Sequence, residues 1–372
     1  MTIRALLLYS PAGGGHRVAA HAVAASIRLL APDADVEVRD VLDFAPRWFR
    51  YDQIWAWIQR HAAAGWDWCF DATDGPDPLG LERLRQPLHR ALLAELDRYL
   101  VARAPTHVIS THYLPAIAVG RQRRRGVLGA RTLTVVTDHR VHHGWVTGGV
   151  DGYAVADPAA ARALARRAPD VAIEVTGIPI ARACGRPVVA VPHLTDVPRV
   201  LTLLGGLPPA TARAALTSLA PLARAGRVAL RVLTGDDPEV LRAARAALAG
   251  TGADVADRRP DLQAALDDAD VVVTKAGGLI VSECLARGRA MVLPFAAPGQ
   301  ERGNRDHALD VGAAVRPHEL ADLGVTLASV AGEPGRLRRM SARARMAARP
   351  DAADAVAAFA LADRLHDRRR VA

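Results

Sequence analysis

The 372 residues suffice for two ordinary domains, and with half of them apolar and 23% charged, most of the chain is expected to fold. Cys69, Cys184 and Cys284 are widely spaced and odd in number, so they give neither a disulfide framework nor a zinc spacing and point to a reducing compartment. A formal charge of +9 favours phosphate-bearing partners (nucleotides, nucleic acids or anionic lipid head groups) without choosing among them.

The run Ile3 to Tyr9 reads as a strand buried on both faces, and its shortness before the polar and glycine residues argues against a signal peptide. Gly13, Gly14 and Gly15 permit a tight turn, after which His16 opens a segment whose Val18, Ala22, Ile27 and Leu30 can share an inner side. Val36 to Val38 suggests the next strand, giving the start of a doubly wound α/β domain. Five of the six tryptophans fall between 48 and 68. There Trp48, Tyr51, Trp55, Ile58 and Ala62 recur at helical spacing, which fits a core helix. It also fits a lipid-facing one, with Arg47, Arg50 and Arg60 meeting anionic head groups. No apolar run reaches about 18 residues without charge, so membrane contact is expected to be peripheral.

Residues 71–80 form a turn-rich break, and a helical stretch through Leu100 leads to a strand at Thr106 to Thr111. The cluster at 121–125, RQRRR, is either a solvated helix end or a phosphate-attracting patch. Thr132 to Val136 is the next strand, followed by TDHRVHHGW at 137–145, where ligands of open α/β sheets gather. A second strand–helix series runs through Val200 to Leu204, Ala229 to Leu233 and Val271 to Thr274. These signals divide the chain into an α/β domain at 1–182, a connection at 183–198 and a second α/β domain at 199–345. A terminal helix and basic tail are expected at 346–372.

The strongest chemical signal is VVVTKAGGLIVSE at 271–283. A strand ends in Gly277 and Gly278, which let backbone N–H groups approach phosphate oxygens at a helix N-terminus, and Glu283 can accept from two ribose hydroxyls. PGQERGN at 298–304 places Gln300, Glu301 and Asn304 at the same sheet end, where amides and carboxylates suit sugar hydroxyls. In the first domain Gly13 and Gly14 allow close approach of an acceptor or phosphate, and a helix start favours a neutral His16 as proton acceptor. Asp138 and His142 can orient or activate the acceptor, with Trp145 against an apolar or sugar surface. The histidines of this loop share no metal spacing with another segment, so no metal and no cofactor is expected. Neither helix-turn-helix, zinc-finger nor RNP-like patterns occur, so no nucleic-acid partner is expected.

Taken in order, SPAGGGHRVAAHAV, THVISTHYLPA, TVVTDHRVHHGW, VTGIPI, DADVVVTKAGGLIVSE and PGQERGN resemble the monogalactosyldiacylglycerol synthase and processive diacylglycerol glucosyltransferase family. A more distant likeness links them to the bacterial transferase that adds N-acetylglucosamine to lipid-linked peptidoglycan precursors. The resemblance implies a GT-B architecture, two Rossmann-like α/β domains with an interdomain cleft. It also implies an inverting glycosyltransferase that moves a hexose from a UDP-sugar to a lipid acceptor such as diacylglycerol, at a cytoplasmic location or peripheral at the inner face of the cell membrane. Under it, His16 and Asp138 are catalytic candidates. Gly277, Gly278, Glu283, Gln300, Glu301 and Asn304 take the donor, while Gly14, Gly15, His142 and Trp145 face the acceptor. A UDP-N-acetylglucosamine or natural-product transferase and an inactive nucleotide-sugar-binding protein are the alternatives. LLGGLPP at 203–209 and LTGDD at 233–237 depart from the family's glycine-rich turns, and KAGG replaces a KPGG-like loop.

Overall fold

The computed structural model describes residues 2–11, 14–49, 54, 57, 63–75, 82–182, 197–257 and 262–362. They form two units, each built on a six-stranded, all-parallel sheet.

The first unit runs β1 (Arg4–Tyr9), α1 (Gly15–Leu30), β2 (Asp35–Asp40), α2 (Ala63–Ala72), α3 (Glu82–Leu92), α4 (Ala94–Arg103) and β3 (His107–Ser110). It continues through α5 (Tyr113–Arg124), β4 (Arg131–Val135), β5 (Gly152–Val155), α6 (Pro158–Ala165) and β6 (Ala172–Val175). Its strand order is β2-β1-β3-β4-β5-β6, so the direction of winding reverses between β1 and β3. Successive side chains of a strand point to opposite faces. Accordingly Ala5 and Leu7 join the core beneath α1, while Leu6 and Leu8 join the one containing Leu96 and Leu100 of α4.

The buried face of α1 is Ala20, Val23, Ala24 and Ile27, one stripe at helical spacing. Ala22 and Ile27 are buried as expected, whereas Val18 and Leu30 are exposed. In so alanine-rich a helix the larger residues do not mark the phase, because small alanines face the sheet and let the helix approach it.

The tryptophan segment lies partly outside the described residues, which omit Arg50, Tyr51, Trp55, Ile58, Arg60 and Ala62. Trp48 sits in a turn and is 72% exposed, so it is not part of a core helix. Ile54 and Trp57, helical and three residues apart, are exposed as well. The expected break at 71–80 starts slightly later, since α2 runs to Ala72. The RQRRR cluster is a structural helix end rather than an open basic patch: Arg121 pairs with Asp97 at 2.6 Å, Arg123 with Asp151 at 2.5 Å, and Arg124 donates to the carbonyl of Gly148.

The second unit runs β7 (Arg199–Leu203), α7 (Pro209–Arg224), β8 (Ala229–Leu233), α8 (Pro238–Ala247), β9 (Asp254–Ala256), α9 (Leu262–Asp268), β10 (Val271–Lys275) and α10 (Gly278–Ala286). It ends with β11 (Ala290–Phe295), α11 (Gln300–Asp310), β12 (Ala314–Val315), α12 (Leu323–Ala331) and α13 (Pro334–Ala347). The order β12-β11-β10-β7-β8-β9 places its own reversal between β7 and β10. Val200, Val271 and Val273 face one apolar layer and Leu201 and Val272 the other, the double-sided burial that parallel strands require.

The helix α14 (Ala352–Leu361) belongs to the first unit. Val356, Ala357 and Phe359 pack in the core with Ala20, Val23, Ala24 and Ile27 of α1, and Ser26 donates to Asp354 at 2.6 Å. The segment 346–372, read from sequence as a terminal helix and tail, therefore contributes a core layer to the beginning of the chain. The tail from 363 onward, Cys184 and most of the 183–198 connection lie outside the described residues.

Candidate active site

Each unit gathers polar residues just beyond its strand ends at the point where the winding reverses, which is where open α/β sheets bind ligands. In the first unit, Gly14 caps α1 with a left-handed φ of 72°, a conformation that glycine adopts without strain. Gly15 and His16 then occupy the first turn of α1. His16 Nδ1 lies 2.7 Å from the carbonyl oxygen of Thr111, beyond β3, and 3.0 Å from Thr137 Oγ1, beyond β4. A carbonyl only accepts, so Nδ1 carries the proton and Nε2 is the basic nitrogen of the neutral ring. The hydroxyl of Thr111 donates to the carbonyl of His16 at 2.8 Å, which fixes the first turn of the helix to β3.

Aromatic rings surround His16. The ring of His112 meets it edge-on at 4.6 Å between centroids, and that of Trp145 lies 6.2 Å away. His112 is buried and uses Nδ1 to accept from the amide of Leu114, capping α5. Burial first, and then the neighbouring His16, hold the pKa of His112 well below the ordinary histidine value, so this ring stays neutral. Trp145 is only 5% exposed and packs with Val136, Val141 and Tyr153. It forms a wall behind His16 rather than a surface anchor, because the short 3-10 turn at 143–145 directs it inward.

Asp138 follows Thr137 in the same loop and is half-buried. His142 is placed differently from its neighbours. Its Nδ1 accepts from the amide of Gly144 at 2.9 Å, and its Nε2 lies 2.8 Å from the carbonyl of Phe70, with the two rings 4.1 Å apart. Both nitrogens are thus engaged by the protein, and His142 ties the loop to α2. Burial, opposed by the bond to Phe70, lowers its pKa.

Asp74 strengthens that tie. One carboxylate oxygen accepts from the amide of His143 at 2.8 Å and from Arg167 at 2.7 Å, and the other accepts from Arg140 at 3.1 Å. Arg140 also pairs with Asp71 at 3.0 Å, and Arg167 donates to the carbonyl of Val141 at 2.8 Å. Burial alone would raise the pKa of Asp74. The hydrogen bonds from Arg167 and His143, the charge of Arg167 and the bond from Arg140 outweigh it and bring the pKa from 3.8 down to about 2. A carboxylate with a depressed folded pKa stabilises above its unfolded value and loses that contribution as pH falls through the folded one. The stabilising effect of Asp74 is therefore expected to be complete above pH 3.8 and to fade toward pH 2. Melting temperatures of the protein and of an Asp74→Asn variant, measured from pH 5 to pH 2, should converge across that window.

In the second unit, β10 ends at Lys275 and the chain enters α10 through Ala276 and Gly277. Gly277, in extended conformation, caps α10 without a side-chain bond, and the first intrahelical bond runs from Val281 N to Gly277 O at 3.0 Å. The leading amides of α10, starting at Gly278, have no acceptor within the helix and lie at the positive end of its dipole. Glu283 is buried in the second turn of α10, and Asn304 is fully buried on α11, which starts at Gln300.

Glu301 is held at both carboxylate oxygens by its own unit. One of its oxygens pairs with Lys275 and the other accepts from the amide of Ala297 at 2.7 Å, bracing the loop after β11 against the end of β10. Lys275 accordingly closes the strand end.

The turns at 203–209 and 233–237 pack against each other. Gly235 has φ of 73°, and a Cβ there would lie 2.8 Å from the Cα of Gly205. The turns after β7 and β8 are packed backbone against backbone, beside the reversal point. Sequence reading identified the loops but not Thr111, His112, Thr137, Asp74 or Arg167 as participants. The available signal was position: Thr111 and Thr137 fall directly after buried strands, where side chains meet the reversal point.

Residues 16–180 match the family described as monogalactosyldiacylglycerol (MGDG) synthase. Over 371 residues the chain is 29% identical to a probable monogalactosyldiacylglycerol synthase 2, chloroplastic, of Oryza sativa subsp. japonica, covering 93% of this chain and 78% of the relative. A UDP-N-acetylglucosamine--N-acetylmuramyl-(pentapeptide) pyrophosphoryl-undecaprenol N-acetylglucosamine transferase of Methylococcus capsulatus is 36% identical over 108 residues, covering 27% of this chain and 30% of that protein. Among solved structures, MurG of Acinetobacter baumannii superimposes with a TM-score of 0.63 at 17% identity, covering 96% of this chain and 99% of the other. The glycosyltransferase SnogD of Streptomyces nogalater gives 0.60 at 17% identity, covering 96% and 100%.

Proposed function

We propose that this chain, whose sequence is similar to the monogalactosyldiacylglycerol synthases and whose fold is that of GT-B glycosyltransferases, moves a hexose from a UDP-sugar to a diacylglycerol-like lipid with inversion at the anomeric carbon. The observation that carries this reading is the tautomer of His16. With Nδ1–H donating to the carbonyl of Thr111, Nε2 is the nitrogen that takes the proton of an acceptor hydroxyl. The acceptor oxygen then attacks the anomeric carbon, the glycosidic bond to the diphosphate breaks, and UDP leaves with the bonding pair. The amides at the start of α10 offset the negative charge that develops on the leaving diphosphate. Glu283 is assigned to the ribose, Gln300 and Asn304 to the sugar, and Glu301 to holding that loop in place. Asp138 serves as orienting group or second base for the acceptor.

The acceptor class also draws support from the surface. Trp48, Ile54, Trp57 and Trp68 are large, apolar and exposed in the first unit, an arrangement suited to the boundary between lipid chains and head groups. No described helix is long and apolar enough to cross a membrane, so contact through these residues would be peripheral. Anionic head groups would be favoured by the +9 charge.

The deciding assay offers a panel of UDP-sugars together with diacylglycerol in anionic vesicles and determines the configuration of the glycolipid formed. Transfer with inversion is the expected result; donor binding without transfer, or retention of configuration, overturns the reading. In the same system, a Trp48→Ala/Trp57→Ala protein is expected to bind the vesicles at least about tenfold more weakly, roughly 1.4 kcal/mol. Its donor affinity should be unchanged, as measured by sedimentation with vesicles and by UDP titration.

A further inference from the structure

The contacts between α2 and the 137–145 loop form a latch. Three groups on or just beyond α2 grip the loop: the carbonyl of Phe70 holds His142, Asp71 pairs with Arg140, and Asp74 holds Arg140 and the amide of His143. Arg167, in the turn just beyond α6, donates to both Asp74 and the carbonyl of Val141, clamping the arrangement from the other side. The guanidinium of Arg140 lies 5.5 Å from the centre of the Phe70 ring. The loop so held carries Trp145, whose ring stands 6.2 Å from that of His16, and begins at Thr137, whose hydroxyl is 3.0 Å from His16 Nδ1. The same α2 helix exposes 70% of Trp68 to its surroundings. One helix thus presents an indole outward and grips the loop around the proposed base inward.

We propose that Asp74 is a positioning residue through which contact of α2 with a lipid bilayer is transmitted to the loop around His16. The inference rests on the proposed lipid acceptor and adds that docking itself orders the acceptor half of the site. The physical basis is that an ion-paired cluster which is half-buried and spans two elements moves as one body. Coulomb attraction between Asp74 and two arginines is stronger there than in water, and the amide of His143 fixes direction as well as distance. A bilayer that restrains Trp68 restrains α2, and α2 carries the loop with it. Removing the charge of Asp74 would leave α2 able to dock while the loop no longer follows.

Hydrogen exchange of the 372-residue chain tests this directly, with vesicles of phosphatidylcholine and phosphatidylglycerol containing diacylglycerol as the probe. In the unaltered protein, vesicles should slow exchange at least several-fold in residues 63–75 and also in 139–146. In Asp74→Asn the slowing should remain in 63–75 and disappear from 139–146, with β4 unchanged as the internal reference. Arg167→Gln, which removes one arm while leaving the carboxylate, should give an intermediate loss and keeps the test available if Asp74→Asn folds poorly. Turnover gives a second readout. The KM for vesicle-borne acceptor should rise about tenfold in Asp74→Asn while the KM for the donor stays unchanged, a split that general destabilisation would not produce. The proposal is overturned if vesicles fail to slow 139–146 in the unaltered protein, or if that response survives in both variants. Failure of sugar transfer with the exchange pattern intact would instead overturn the lipid-acceptor reading and leave the latch standing.

Discussion

Replacing His16 by alanine is expected to lower kcat by about 10²- to 10⁴-fold, the range associated with a positioned general base, while the affinity for UDP stays the same. The prediction follows from what the imidazole can and cannot do in its surroundings. Its Nδ1–H is committed to Thr111, and the edge-on ring of His112 and the indole of Trp145 confine it, so Nε2 is aimed rather than free to reorient. A water molecule in the alanine cavity would be a weaker base and less well placed. Asp138→Asn should cost less, about tenfold, if aspartate orients the acceptor and histidine takes the proton. Steady-state kinetics of both variants, with calorimetric titration of UDP, separates the roles. Turnover unchanged in His16→Ala would remove the proposed base, and a larger loss in Asp138→Asn would exchange the two assignments.

The second large effect concerns stability. Phe359→Ala is expected to destabilise the first unit by about 3–5 kcal/mol, the usual range for truncating a buried phenylalanine. That corresponds to a fall of roughly 10 °C in the melting temperature of a unit of this size. Phe359 is 5% exposed, and its ring lies against Gly152 of β5, where a Cβ would approach ring carbon Cζ to 3.2 Å. Sheet and ring are in direct contact, so the cavity left by alanine has little nearby to fill it. Differential scanning calorimetry should show one transition lowered and the other unmoved. Two transitions lowered equally, or neither, would contradict the assignment of α14 to the first unit.

Strand positions were the most legible part of the fold. Runs such as ALLL at 5–8 and VVV at 271–273 are apolar on both faces, which a parallel strand between helix layers demands and little else does. The strand-to-helix turn at 275–278 was legible for the same reason, since Gly277 and Gly278 follow a buried strand where a turn into a helix is the natural continuation. Side-chain direction was less so. His142, Trp145 and Glu301 occupy the loops expected of them, but their partners come from elsewhere in the chain: Phe70 for His142, Tyr113 beside Trp145, Lys275 for Glu301. No local spacing encodes a partner that lies tens of residues away. The role of Asp74 was hidden similarly, since an aspartate in a turn-rich stretch ordinarily reads as a solvated turn residue.

The return of α14 to α1 also sets an order of assembly. Every residue of the second unit's sheet is synthesised before Val356, Ala357 and Phe359 emerge, so during that time the layer holding Ala20, Val23, Ala24 and Ile27 has the sheet but not α14 to pack against. The first part of the chain to be made is therefore among the last to be finished. A ribosome that stalls anywhere within the second unit leaves a first unit with an open, adhesive flank, a substrate for chaperones rather than a folded half-enzyme.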